Sequence, residues 1–403
     1  MLYAIVLLTI VALIALIFLS YFNLNYRLVD SSKKRIMAGT YGYERLAAMQ
    51  ADDIPYDIED TTTIDGLYHV HAVKKIWGGY NLCYATILAT NGDTLFSRIA
   101  LAGIGKDITD STAILIFNNR TPAYLGSNVT INGNCYFPES ALRHYQSGDS
   151  KVAEQRIYKS PDTVTTPRNI ASLVQWATDY NDAALRGSKL YLSDSVYRSF
   201  YSPTYNIAAD TVILSGKLSG NIIVSANVIE VERTCSLSNV LLTGRKIIVA
   251  DHFKGNMQVI ATDTVILNTA DTITYPGFVA LLPDAGKNHC KVPCILMRDS
   301  VNICGDVYAY TADTKLFSAL QISSGAQTRI TGSMYSSLSL QLNGTYHGHV
   351  ICRTIAGNQL SQDNLLSDLQ VDVDSLPSYF AYCNLFPLSN KRRIVKWLEG
   401  VRN

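Results

Sequence analysis

Cysteine, histidine and aspartate are the residues in this 403-residue chain whose chemistry has to be accounted for first. There are eight cysteines: Cys83, Cys135, Cys235, Cys290, Cys294, Cys304, Cys352 and Cys383. The densest group is His289-Cys290-Lys291-Val292-Pro293-Cys294 with Cys304 close behind. Thiolates and an imidazole at short range are zinc-ligand types, and an even count permits disulfides in an oxidising compartment. The Cys-x-x-x-Cys spacing and its internal proline argue against a zinc knuckle. A Cys290–Cys294 or Cys290–Cys304 bridge and free thiols are the readings left open. Most of the cysteines lie in apolar stretches, where a thiol behaves as a small buried hydrophobe. His69 and His71 share one strand face, but no third ligand stands near them. Asp251, Asp263, Asp271, Asp299, Asp306 and Asp313 are scattered, most beside turn residues, where a carboxylate accepts backbone hydrogen bonds. Glycoside cleavage needs two carboxylates on one face, and Asn268-Thr269-Ala270-Asp271 is only superficially like a glycosidase motif. Gly-x-Ser-x-Gly, P-loop and His-Glu-x-x-His patterns do not occur. The expectation is a chain that is not an enzyme, with no catalytic, cofactor-binding or metal-ligating residue and no cofactor.

What positions these residues is a repeat running from about Asn206 to Thr354. An apolar residue, any residue, Gly, a polar residue and then an alternating apolar strand recur. The pattern reads Leu218-Ser219-Gly220-Asn221-Ile222, Phe253-Lys254-Gly255-Asn256-Met257 and Ile303-Cys304-Gly305-Asp306-Val307. Looser copies start at Ile330 and Tyr346, and Leu237-Ser238-Asn239-Val240 fits without the glycine. Gly220 and Gly255 lie 35 residues apart with the Leu237 copy between them, which gives a period of 17 to 18. Asp210-Thr211-Val212-Ile213-Leu214 returns as Asp263-Thr264-Val265-Ile266-Leu267, three periods on. Repeats this short, made of strands and turns, predict a β-solenoid whose stacked coils share a core that no single coil can form. Gly and Asn suit its corners because they tolerate positive φ. A β-sandwich with Gly-Asx hairpin turns is the competing fold.

The rest of the chain is read around that body. Leu2 to Phe22 carries no charge and at 1.5 Å per residue spans a hydrocarbon core of about 30 Å, so 1–23 is expected to be a transmembrane helix. A basic leader and an Ala-x-Ala site, the marks of a cleaved signal peptide, do not accompany it. Residues 24–63 read as a helical stalk interrupted at Tyr41-Gly42, then an acidic linker. Residues 64–120 read as an antiparallel β module, with a hairpin turn at Asn91-Gly92-Asp93 and Ala113–Phe117 as its last strand. Residues 121–205 combine a first coil, Val129 to Pro138, with a helical insertion from Thr166 to Leu185 capped by Thr166 and Pro167. The solenoid proper covers 206–354. A C-terminal cap covers 355–403 and ends in a helix from Lys391 to Val401 started by Ser389. Charged residues make up 17%, hydrophobic ones 48%, and the net charge is +1. No global field therefore recruits nucleic acid.

Three stretches carry a resemblance: Ile76-Trp77-Gly78-Gly79-Tyr80-Asn81-Leu82, Thr121-Pro122-Ala123-Tyr124-Leu125-Gly126 leading into Val129 to Pro138, and Lys396-Trp397-Leu398-Glu399. With the N-terminal span, they resemble uncharacterised single-pass bacterial envelope proteins that have a pilin-like anchor and a β-rich body. The Gly-Asn coils also resemble polymer-forming, bactofilin-like β-helices, although the coils here are irregular and flanked by extra domains. The resemblance implies a membrane-anchored structural or interaction protein that acts as a rigid β-helical scaffold, with protein partners or self-association. Two alternatives stand beside it: a pseudopilus-like component of a secretion or fibre-assembly machine, and a carbohydrate-binding or carbohydrate-cleaving β-helix. Arg27, Lys33, Lys34 and Arg35 after the span favour a cytoplasmic body by the positive-inside count. The pilin-like anchor favours an extracytoplasmic one, which is the expectation adopted.

Overall fold

The computed structural model describes residues 2–51, 54–107, 111–117, 122–139, 142–144, 150–152, 156–161, 166–182, 187–283, 293–312, 320–356 and 364–399. It is mainly β, with 55% strand and 17% helix. The chain forms two compact units. One comprises Met1–Lys75, Cys83–Ala100 and Glu399–Asn403; the other comprises Ile76–Leu82 and Leu101–Leu398.

The first unit begins with one uninterrupted helix, α1 (Leu2–Ala48). Its apolar window has a mean hydropathy of 3.1 and none of it is covered by protein. A helix this long and apolar can cross a membrane, and its later turns are tied to strands. Tyr41-Gly42 does not break it. Gly42 is buried, and a Cβ there would lie 2.3 Å from the Phe96 ring, so the glycine admits an aromatic side chain rather than ending a helix. Arg45 pairs with Asp60 at 3.1 Å. Asp60 opens strand β1 (Asp60–Ile64), so the acidic linker ends in ordered structure that pairs antiparallel with β2 (Tyr68–Trp77). Strands β3 (Tyr80–Ala89) and β4 (Thr94–Gly105) follow. The expected turn lies between them: Asn91 Nδ2 donates to Asp93 at 2.7 Å, and Gly92 adopts φ +88°.

The second unit is built on parallel pairing. Tyr205–Leu214, Lys217–Val231, Ser236–Val249 and Lys254–Leu267 lie side by side. Ile207 pairs with Val224, Val224 with Leu242 and Leu242 with Val259. Each step advances 17 or 18 residues, the period read from the sequence. Alternation sends Val224, Leu242, Val259, Val279, Val307, Met334 and Val350 into one continuous core. The strands are long and bend at Gly and Asn corners, so a single strand pairs in two or three separate stretches. Six of the parallel strands close into a barrel, a departure from the open solenoid that the repeats predict.

Four elements differ from expectation. Strand β5 (Thr112–Ile116) belongs to the parallel sheet, not to the antiparallel module; Ile114, Leu115 and Ile116 pair with Val350, Ile351 and Cys352. Strands β6 (Ala123–Leu125), β7 (Val129–Asn132) and β8 (Asn134–Phe137) continue the same rungs. Strand β7 pairs with Leu369–Asp372, and β6 with Leu365–Leu366. The early Gly-Asn copy therefore stacks on the last repeats of the chain rather than ahead of the first. Its bare apolar edge is satisfied equally by either end of a parallel stack, which is why local sequence does not give its place. Helix α2 (Ile170–Asp182) starts later than expected, after Asn169 at φ +49°, and Thr166 and Pro167 precede it as coil. The closing segment is a strand, Arg392–Glu399, paired with β4. Ser389 donates to the Gly105 carbonyl at 2.8 Å instead of starting a helix. An available strand edge outweighs weak helix periodicity over eight residues.

Candidate functional site

The residue after each corner glycine faces outward, because its successor faces the core. Asp306 precedes core Val307, Ser333 precedes core Met334, and His349 precedes core Val350. Ser333 pairs with His349, and Val307 pairs with Met334, so Asp306, Ser333 and His349 form one outward column on three adjacent rungs. Beside it stand Tyr308 and Tyr335, stacked at 5.5 Å and 14°. None of these five side chains is more than 1% exposed. The C-terminal segment around Ala381–Cys383 lies over them.

Every polar group in the column has a defined partner. Asp306 Oδ1 accepts from the Ser333 amide and hydroxyl, each at 2.7 Å, and Oδ2 accepts from the Cys383 amide at 2.5 Å. Burial pushes the Asp306 carboxyl up to about 6, against the opposing pull of the hydrogen bonds from Ser333 and Cys383. His349 Nδ1 lies 2.5 Å from the Thr112 carbonyl, and its Nε2 lies 2.7 Å from Tyr382 Oη. A carbonyl only accepts, so Nδ1 carries a proton; in the neutral ring, Nε2 then accepts from Tyr382. Tyr275 Oη donates to the Ala381 carbonyl and accepts from the Ala381 amide, both at 3.2 Å. Tyr382 stacks on Phe386 at 3.9 Å. Gly79, from the Trp-Gly-Gly stretch, donates to Gln258 at 2.8 Å and accepts from the Asn384 amide at 2.7 Å. Gly79 has no Cβ because Phe278 occupies the space, 2.5 Å away.

Aspartate, serine and histidine in one column invite comparison with a nucleophilic triad, but the connectivity is different. Ser333 gives its hydrogen bonds to Asp306, and His349 is committed to Thr112 and Tyr382, so no serine–histidine bond activates a nucleophile. The cluster fastens Ala381–Cys383 to the sheet through Tyr275, Asp306 and His349.

Of the residues singled out in the sequence, Asp306 and Cys383 meet in this cluster, while the described histidines and the other turn aspartates do not join them. His69 Nδ1 lies 3.2 Å from Thr63 Oγ1, and His71 Nδ1 lies 2.8 Å from Glu59. Asp251 accepts from the Thr269 amide, Asp263 pairs with Arg245 at 3.4 Å, and Asp271 accepts from the Phe253 and Asn268 amides. Asp313, His289 and Cys290 lie outside the described residues. Among the described residues, no group of three His, Cys, Asp or Glu side chains is placed to hold a metal ion. The chain matches no protein-family model, no curated protein and no solved structure. The geometry is therefore the ground for a functional reading.

Cys83, Cys135, Cys235, Cys294, Cys304, Cys352 and Cys383 are free thiols. Burial pushes Cys83, Cys135 and Cys235 up to about 12 and also raises Cys352 and Cys383 above the usual thiol range. Only the thiolate alkylates. Iodoacetamide at pH 8 is thus expected to leave these five unmodified in the native protein and to label them after denaturation. Native labelling of Cys352 or Cys383, read by peptide mass spectrometry, would contradict the burial.

Proposed function

We propose that this chain is a membrane-anchored, non-catalytic scaffold whose second unit stacks its repeats as solenoid-like coils, with six of the parallel strands closed into a barrel. The observation that carries the reading is the parallel register itself, which steps by 17 or 18 residues from Ile207 to Val224 to Leu242 to Val259 and continues in parallel with longer insertions through Val279, Val307, Met334 and Val350. That step is what stacked coils give, whereas independent hairpins give antiparallel pairs. Support for the anchor comes from the apolar first half of α1, whose side chains from Leu2 to Phe22 lie outside any protein core. A structural role is favoured because the polar column at Asp306, Ser333 and His349 is spent on holding the chain's own C-terminal segment. Aligned aromatics on successive rungs, the feature a carbohydrate groove needs, are buried at Tyr308 and Tyr335; one further stacked pair, Tyr136 and Tyr158 at 5.3 Å, reaches the surface, with Tyr158 43% exposed, and a single pair is shorter than a groove.

Polymerisation end to end, as in bactofilin-like filaments, is disfavoured by charge. Lys189 and Arg198 lie on strands that pair with Thr211–Leu214 and Lys217–Gly220 at one side of the register. Lys151 and Lys159 lie on strands that pair with Thr130–Ile131 and Cys135–Phe137 at the other. All four are exposed, and cations on both edges oppose strand addition. Partners are therefore expected to engage the lateral faces. The anchor is tested by alkaline extraction of membranes carrying the full chain, followed by intact-mass measurement. The chain is expected to remain in the pellet with residues 2–22 attached. Release into the supernatant, or a mass lacking those residues, would remove the anchor.

A further inference from the structure

A cavity of about 390 Å³ opens within the first unit, between α1 and two hairpin turns. Helix α1 contributes Arg27, Asp30, Ser31 and Lys34, and the turns contribute Leu67 and Asp93 among others. The spacing of Arg27, Ser31 and Lys34 puts all three on one helix face. Arg27 lies five residues beyond the apolar run, roughly 8 Å further along the axis. The headgroup layer extends about 5–8 Å beyond the hydrocarbon on each side, so with Leu2–Phe22 in the bilayer the Arg27 end of this cavity reaches the outer edge of the headgroup layer.

We propose that the cavity binds the headgroup of a zwitterionic phospholipid bearing a primary ammonium, with Arg27 on the phosphate and Asp93 on the ammonium. The inference rests on the membrane-anchor reading and names a ligand for it. Charge decides between headgroups. Lys34 and Asp30 neutralise each other at 2.7 Å, which leaves one cation, Arg27, and one carboxylate, Asp93, for a ligand. Asp93 uses one oxygen on Asn91 Nδ2 and keeps accepting capacity. Arg27 has no hydrogen-bond or ion-pair partner among the described residues, and its long stem suits a head held at the interface. Leu67 at the turn tip is 52% exposed, an apolar lip suited to the glycerol and upper acyl chain. A purely anionic headgroup would meet Asp93 unfavourably, and a quaternary ammonium would offer no N–H to it.

The test uses the full chain in detergent micelles, with phosphatidylethanolamine, phosphatidylglycerol or phosphatidylcholine of identical acyl chains, and native mass spectrometry of retained lipid. Phosphatidylethanolamine is expected to be retained about tenfold more than either other lipid. Arg27→Gln and Asp93→Asn are each expected to reduce that preference at least about fivefold, while Arg233→Gln in the second unit leaves it unchanged. Arg27 is exposed on the helix surface, so its variant folds even if the Asp93 turn is perturbed. Equal retention of the three lipids, preference for phosphatidylglycerol, or indifference to Arg27→Gln would each overturn the proposal. A chain that survives alkaline extraction yet shows no headgroup preference loses this inference alone; a chain released by extraction loses the anchor reading itself.

Discussion

Gly332→Ala is expected to destabilise the second unit by roughly 3–5 kcal/mol, close to the whole stability of many domains. Gly305, Gly332 and Gly348 stand at one corner of successive rungs with φ of +149°, +146° and +143°. A Cβ on Gly332 would lie 2.1 Å from the Gly305 carbonyl oxygen, and one on Gly348 would lie 1.9 Å from that of Gly332. The obstacle is backbone in a paired rung, so it cannot rotate away as a side chain can. Strain at a φ that L-residues avoid adds to the collision. Gly39→Ala in α1 is the matched control: nothing lies within 4 Å of its Cβ position, and helix propensity makes alanine neutral or better by up to about 1 kcal/mol. Urea unfolding of the two variants should separate them by several kcal/mol. Equal midpoints would mean that the corner is not packed as described.

The second large effect is at Asp306, where Asp306→Ala removes the acceptor for three buried donors: the Ser333 amide, the Ser333 hydroxyl and the Cys383 amide. At pH 4 the expected loss is roughly 3–5 kcal/mol, since each buried donor left unpaired costs about 1–3 kcal/mol. The loss depends on pH in a definite direction. The folded-state carboxyl is raised to about 6 from an ordinary 3.8, so ionisation is harder in the native protein than in the unfolded chain. Its stabilising contribution is complete below pH 3.8 and declines as pH rises through about 6. Two pH units correspond to about 3 kcal/mol. The neighbouring Tyr80, Tyr308 and Cys383 are raised well above their usual values by burial and stay neutral throughout this window. The stability of the wild type minus that of Asp306→Asn should thus favour the wild type by about 2 kcal/mol more at pH 4 than at pH 7. Taking the difference cancels groups common to both proteins, and a flat difference would mean that Asp306 is solvated.

Much of this architecture was legible in the residues. The 17 to 18 residue period seen between Gly220 and Gly255 is the register step itself, because one rung is one repeat. The uncharged run from Leu2 to Phe22 read as an apolar helix, which α1 is, and Asn91-Gly92-Asp93 read as the hairpin turn it forms. Asp251 and Asp271 read as turn carboxylates, and both accept backbone amides. What stayed hidden depended on contacts between distant stretches. Nothing local in Ala113–Phe117 tells an antiparallel strand from a parallel one, since the partner at Val350–Cys352 lies more than 200 residues away. The same holds for Arg392–Glu399, whose helix-like spacing lost to the edge of β4. The polar column left a trace in the sequence: Gly305-Asp306-Val307, Gly332-Ser333-Met334 and Gly348-His349-Val350 are successive repeats with a polar residue at one position. Reading that position down the repeats, rather than each repeat along the chain, would have brought the three together.

A scaffold needs its early rungs to continue the stack, and the pairing of Thr130 with Gln370 is where that continuity is most exposed to test. The two are register partners on adjacent parallel strands, about 4.8 Å apart, and both face solvent. Nitroxides on Thr130→Cys and Gln370→Cys, attached after exposed native thiols are blocked or replaced, should give a strongly dipolar-broadened spectrum in the folded full chain. A spectrum equal to the sum of the two single-label spectra would place the Val129–Asn132 strand elsewhere and break the stack on which the scaffold reading depends.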